Sequence, residues 1–196
     1  VQDIRICFLG DSLVNGTGDE TAQGWVARVC AGAAAKGSPV TCYNLGIRRE
    51  TSRDILSRWQ NECARRLPGF CDGRVVLSCG VNDTVIEEGK TRVDLDESLR
   101  NVAEILQGAA KKYKVLLVGP PPVGDEAHNV RIQVLSNALA EAARLQNIPF
   151  IDLFSPMISD VEYKQDVLNN DGAHPTARGY QKLAAIVSSS PQWWFL

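Results

Sequence analysis

Residues 4–13 read Ile4-Arg5-Ile6-Cys7-Phe8-Leu9-Gly10-Asp11-Ser12-Leu13. The first seven are mostly apolar and close on glycine, which predicts a buried strand from Ile4 to Gly10 that stops where Asp11 and Ser12 begin. Four more runs of this kind follow, at Val40 to Gly46, Arg74 to Gly80, Lys114 to Gly119 and Pro149 to Phe154. Between them the apolar spacing turns helical. Leu95, Leu99, Val102, Ala103 and Leu106 mark one helical face, and Ile55, Leu56, Trp59, Cys63 and Leu67 a second; a last helix is expected from about Thr176 to Ser188. Strand and helix therefore alternate about five times. That pattern predicts an α/β fold, a doubly wound parallel sheet covered by helices on both faces. With 196 residues and no linker or internal repeat, one domain over 1–196 is expected.

Composition removes several classes of function. Lys and Arg number 21 against 23 Asp and Glu, a formal charge of -2 with the signs interspersed, so there is no basic footprint for nucleic acid. Apolar runs such as Val115 to Val118 are far too short for a transmembrane segment. The six cysteines, at 7, 30, 42, 63, 71 and 79, lack the close pairing of zinc or thioredoxin-type motifs. Cys7, Cys42 and Cys79 lie in strand-like runs, where a free thiol behaves as a small apolar side chain. Reduced core thiols are the favoured reading, with disulfides as the alternative. A cytoplasmic address is the corresponding expectation, with export following if a leader has been removed.

In open α/β sheets ligands gather at the carboxyl ends of the strands. The loops to search are therefore Asp11 to Gly24, Ile47 to Glu50, Val81 to Lys90, Pro120 to Glu126 and Ser155 to Pro175. In the first, Ser12 stands at a strand-to-loop switch among small residues. Gly10, Gly16 and Gly18 have neither the Walker spacing nor that of a dinucleotide fingerprint, so a phosphate cradle fits poorly. A nucleophilic serine or an ordinary glycine-rich turn remain. In the last, Asp171 precedes His174 by three residues, close enough to bend back to Nδ1; the competing reading is a helix cap. A serine hydroxyl becomes a useful nucleophile only when a neighbouring base takes its proton, and that base needs a partner to hold its tautomer. The second histidine, His128, sits among Glu126, Asn129 and Arg131 and reads as a solvated surface residue.

Acyl transfer also needs donors for the negative charge that develops on the carbonyl oxygen. Gly80-Val81-Asn82-Asp83 closes the third strand and Asn44-Leu45-Gly46 the second. The Asn82 amide and the N–H groups of Ser12 and Gly46 are the candidate donors, with Asp11 and Asp83 as supporting neighbours. Alone, Asn82-Asp83 would pass for a turn.

Taken in order, these four blocks resemble the GDSL-type, or SGNH, hydrolases over nearly the whole chain. Gly10 to Leu13 resembles the nucleophile block, Gly46 the glycine of the second block, Gly80 to Asp83 the oxyanion block and Asp171 to Pro175 the acid-and-base block. The resemblance implies a flavodoxin-like three-layer fold, Ser12 as nucleophile, His174 as base and Asp171 as its orienting acid. It further implies an oxyanion hole of Ser12, Gly46 and Asn82, and no metal or organic cofactor. The activity expected is hydrolysis of a small ester or lipid-like substrate through an acyl-serine intermediate, whether lysophospholipid, thioester or simple ester, or, as an alternative within the same family, the O-acetyl ester of a carbohydrate. The alternatives are a non-catalytic binding module on the same fold and a nucleotide or flavin binder. Oligomeric state is left open.

One departure stands out. Where such proteins commonly carry a small Ser-Gly pair before threonine, this chain has Ile47-Arg48-Arg49-Glu50 before Thr51. Arg48 and Arg49 are candidate substrate-binding residues for an anionic group, against the plainer reading of solvated side chains or a contact to a nearby acid. The apolar end, Pro191 to Leu196, is expected to fold back on the body, with a dimer contact or an acyl-receiving surface as alternatives.

Overall fold

A computed structural model describes residues 2–195. Strands β1 (Ile4–Gly10), β2 (Val40–Gly46), β3 (Asp72–Ser78), β6 (Lys114–Val118) and β7 (Phe150–Ile151) form a parallel sheet in the order β2-β1-β3-β6-β7. The helices are α1 (Ser12–Asn15), α2 (Gly24–Ala35), α3 (Ser52–Arg66), α4 (Leu95–Ala110), α5 (Glu126–Leu145), α6 (Phe154–Ile158), α7 (Val161–Asn169) and α8 (Ala177–Ser189). A two-stranded ribbon, β4 (Ile86–Glu87) with β5 (Lys90–Thr91), rises from the loop after β3.

The pleat sorts the core into two layers. Successive strand side chains point to opposite faces. Ile6 and Phe8 of β1 therefore join α2 and α8 in one cluster, with Trp25, Val29, Tyr180 and Leu183. Cys7 and Leu9 join α3, α4 and α5 in the other, with Ile55, Trp59, Ile105 and Leu139. Burial on both faces is why β1, β3 and β6 carry unbroken apolar runs rather than alternating ones, whereas the edge strand β2 has no fully buried residue.

Ser78 rather than Gly80 ends the third strand, and the fifth shrinks to two residues at the sheet edge. The segment read as one long loop, Ser155 to Pro175, holds most of α6 and all of α7; Asp160 caps α7 by accepting the Tyr163 N–H at 2.9 Å. The face of α4 is rotated from the expected one: Leu95 is exposed, while Ser98 and Asn101 are buried. These two polar side chains go inward because they have partners there. Ser98 Oγ donates to Asp83 at 2.7 Å, and Asn101 donates to Ser52 Oγ at 3.0 Å.

A second correction concerns the thiols. Cys42, expected to be a free apolar strand residue, is joined by a disulfide to Cys30, because β2 carries it against α2 beside that side chain. Cys7, Cys63 and Cys79 are buried free thiols and Cys71 is a partly exposed one. The carboxyl-terminal segment does fold back: Trp193 and Phe195 are buried in the first cluster, with Trp193 packed on Phe8. Leu196 lies outside the described residues. Among the described residues no helix is long and apolar enough to cross a membrane.

Candidate active site

The chain leaves β1 toward β2 on one side and later places β3 on the other, so a crevice opens at the carboxyl ends of β1 and β3. Ser12 enters it from the first turn of α1. Asp11 caps this short helix, its Oδ1 accepting the Leu13 N–H at 2.9 Å, and Gly16 ends it in the left-handed region with φ 91°. The helix lies hard against the strand ends. A Cβ on Gly10 would fall 2.3 Å from Val14 Cγ2, and one on Gly46 2.2 Å from Asn15 N.

From the far end of the chain, the loop between α7 and α8 brings His174 to the same point. His174 Nε2 lies 2.8 Å from Ser12 Oγ, and Nδ1 lies 2.7 Å from Asp171 Oδ2. The other Asp171 oxygen accepts the N–H groups of Ala173 at 2.9 Å and His174 at 2.7 Å, so one carboxylate holds both the turn and the ring. A carboxylate only accepts, which puts the imidazole proton on Nδ1 and leaves Nε2 free to accept from the serine. Burial works to raise the Asp171 pKa. The bonds from the His174 ring and from the two N–H groups outweigh it and hold the carboxyl below its usual range. The loop itself is pinned: Asn170 donates to His174 O at 3.0 Å, and Asp166 accepts from Thr176 N–H and hydroxyl at 2.8 and 2.6 Å.

Asn82 completes the crevice from the loop after β3. Its Nδ2 donates to Glu50 O at 2.9 Å and lies 3.4 Å from Asp11 Oδ2. The neighbouring Asp83 is fully buried and locks this loop to two helices, accepting from Ser52 N–H at 2.8 Å and from Ser98. Asp11 is buried as well, and burial pushes its pKa up to about 7; the Leu13 bond opposes this, and the nearby Asp83 and Glu50 charges add to it.

Gly46 is not where the sequence reading puts it. Its N–H is already donated to Asn44 Oδ1 at 3.0 Å, and its α-carbon serves the close approach of α1. The turn beyond it is what reaches the crevice. Arg48 and Arg49 line the cavity beside Ser12, and Arg49 adopts φ 68°, the region glycine favours. No acceptor for the Arg49 N–H is present among the described residues. The signal for this position was in the sequence: a four-residue turn, Ile47 to Glu50, between a strand and a helix capped by Thr51 and Asp54. Glu50 is drawn away by Arg58, whose Nε sits 2.7 Å from its carboxylate and whose Nη2 donates to Leu45 O at 2.8 Å.

His128 also departs from the sequence reading. It is half-buried at the start of α5 and lines the cavity, with Nε2 2.9 Å from Thr84 Oγ1 and 3.1 Å from Val81 O. In the first turn of α5, Glu126 and Ala127 stay exposed, but the His128 ring turns to the crevice, where Thr84 and Val81 supply its partners. Burial holds its pKa below the usual histidine value; the Val81 carbonyl opposes this, and Arg131 adds to it. The cavity measures about 210 Å³, with buried apolar walls from Leu13, Val81 and Val123. Among the described residues no cluster of His, Cys, Asp and Glu side chains is arranged to hold a metal ion.

A hydroxyl in relay with an imidazole and a carboxylate at the switch point of a 2-1-3-4-5-type sheet defines a class, the serine hydrolases built on a flavodoxin-like fold. Within that class, the chain belongs to the GDSL-like lipase/acylhydrolase family, whose model matches residues 8–182. It is similar to esterase TesA of Pseudomonas aeruginosa, 28% identical over 91% of this chain and 83% of that protein. It is also similar to an acetylxylan esterase of Xylanibacter ruminicola, 26% identical over 95% of this chain but 43% of that longer protein. Among solved structures, a lipase/acylhydrolase from Enterococcus faecalis superimposes with a TM-score of 0.79 at 27% identity, covering 94% of this chain and 93% of that one. Axe2, an acetylxylan esterase from Geobacillus stearothermophilus, shares the fold with a TM-score of 0.73 at 20% identity, over 94% and 92% of the two chains. The protein is an ester-bond hydrolase of this family.

Proposed function

We propose that the protein hydrolyses short-chain carboxylic esters in two steps, with Ser12 as nucleophile. The Ser12 oxygen attacks the carbonyl carbon while its proton passes to His174 Nε2, and Asp171 steadies the imidazolium that forms. The same proton then goes to the departing alcohol. Water, deprotonated by His174, releases the acid and restores the serine. The observation that carries this reading is the continuous relay from Ser12 Oγ to His174 to Asp171, at 2.8 and 2.7 Å.

The oxyanion would be met by three donors. Ser12 N–H opens α1 and has no partner within the helix. The Asn82 amide is held by a 2.9 Å bond to Glu50 O, and its second Nδ2 proton, on a long 3.4 Å bond to Asp11 Oδ2, would turn to the oxyanion. The third is the Arg49 N–H, in place of Gly46. Donors of this kind typically contribute about 3 kcal/mol each to the transition state.

Cavity size favours a small acyl group. About 210 Å³ lies below the roughly 300 Å³ at which pockets for larger ligands begin. An O-acetylated sugar is the second reading, favoured by that size and by the acetylxylan esterases among the similar proteins. The Cys30–Cys42 disulfide supports an oxidising compartment rather than the cytoplasm. Turnover of 4-nitrophenyl acetate, butyrate and octanoate tests the proposal. Acetate should be preferred, and Ser12→Ala should lower kcat at least about a thousandfold with the fold intact. Undiminished turnover by Ser12→Ala would overturn it.

A further inference from the structure

We propose that Arg48 and Arg49 form a cationic rim that binds an oxyanion group, carboxylate or phosphate, on the alcohol side of the ester. The inference rests on the reading of the cavity as the ester site. Both residues line the cavity that holds Ser12 and His174, and both are exposed, whereas the apolar wall of Leu13, Val81 and Val123 is buried. The buried apolar part of the wall suits the acyl group, which leaves the alcohol on the exposed side of the cavity, the side that Arg48 and Arg49 line.

Neither charge is spent inside the protein. Among the described residues Arg48 makes no ion pair, and Arg49 has only Glu87 at 3.5 Å, with its own side chain 80% exposed. The acid next in sequence, Glu50, is bound to Arg58, and both side chains of that pair are 15% exposed. The rim's remaining exposed charge in the cavity lining, Asp125, caps α5 by accepting the His128 N–H at 2.6 Å, and among the described residues it forms no ion pair with either arginine. Arg49 moreover occupies a left-handed backbone position, φ 68°, held by Arg92 donating to its carbonyl at 2.9 Å. Glycine would take that conformation without strain, and strained residues concentrate at ligand clamps and active sites. A guanidinium fork is also the side chain suited to pairing with a carboxylate or phosphate.

Three acetates of one size decide the matter: those of 4-hydroxybenzoate, of 4-hydroxyphenyl phosphate and of the neutral 4-hydroxybenzamide. At low ionic strength the native protein should favour the anionic esters over the neutral one by about tenfold in kcat/KM, mostly through KM. The carboxylate and phosphate arms show which oxyanion is taken better. Arg48→Gln combined with Arg49→Gln should bring the anionic-to-neutral ratio close to one, whereas the double lysine variant should keep most of the preference. A native ratio near one, or a ratio unmoved in the glutamine variant, would overturn the proposal. Calorimetric binding of 4-hydroxybenzoate and 4-hydroxybenzamide to Ser12→Ala, with and without the glutamine changes, reads the rim without chemistry. Arginine-dependent binding of the acid in a protein that turns over no ester would sink the ester reading alone. Ester turnover with no such dependence would sink the rim alone.

Discussion

At Asp11 the site places a carboxylate where water is excluded, 2% exposed, and burial raises its pKa to about 7. In the unfolded chain the same group titrates near about 4. Between those values the folded state holds the proton more tightly, so Asp11 opposes folding increasingly as pH rises from 4 to 7. Its cost is absent below the lower value and full above the upper one. Asp11→Asn, which can still cap α1 through its side-chain oxygen, should therefore stabilise the protein at pH 8 and have little effect at pH 4. Chemical denaturation of both proteins at the two pH values measures this; an equal difference at both would contradict it. The residues that the structure brings together at this crevice were legible early. Ser12, Asn82, Asp171 and His174 each announce themselves by type at the end of a strand or the head of a helix. Gly46 misled because a glycine after a strand serves equally well as a donor or as room for a packed helix, and only the Asn44 side chain on its N–H tells them apart.

Elements were legible where one physical signal dominated. The ranges of β1 and β2 follow from apolar runs ended by glycine and are read to the residue. The face of α4 was not, because Ser98 and Asn101 look solvent-bound until Asp83 and Ser52 supply their partners across three elements. The β4–β5 ribbon hid in a charged stretch, although Glu88 and Gly89, both at positive φ, form the two-residue turn that hairpins prefer. The disulfide between α2 and β2 was equally unreadable, since six cysteines permit fifteen pairings. It closes a short loop, with a sequence separation of 12. Cys30→Ser with Cys42→Ser should cost about 3 kcal/mol in urea unfolding. Thiol titration of the native protein should find Cys71 readily and the three buried thiols only after unfolding. A stability unchanged by the double variant would argue against the bridge.

Over the whole molecule, the sheet order brings together residues that the chain holds far apart. Ser12 and His174 are 162 positions distant and meet at 2.8 Å, while Asn82 and Arg49 arrive on loops from neighbouring strands. A doubly wound sheet does this by topology, since every βα loop emerges on one edge. The hydrolase motifs could thus be ordered from sequence, whereas the cavity's size, its cationic rim and the inward turn of His128 depend on how those loops pack. The account stands on Ser12 being activated by His174. The most direct measurement is the rate and site of phosphonylation by a fluorophosphonate, read by mass spectrometry of the digested protein. One adduct on the peptide containing Ser12 is predicted, lost in Ser12→Ala and slowed at least about a hundredfold in His174→Gln. An adduct on another residue, or an undiminished rate in His174→Gln, would contradict it.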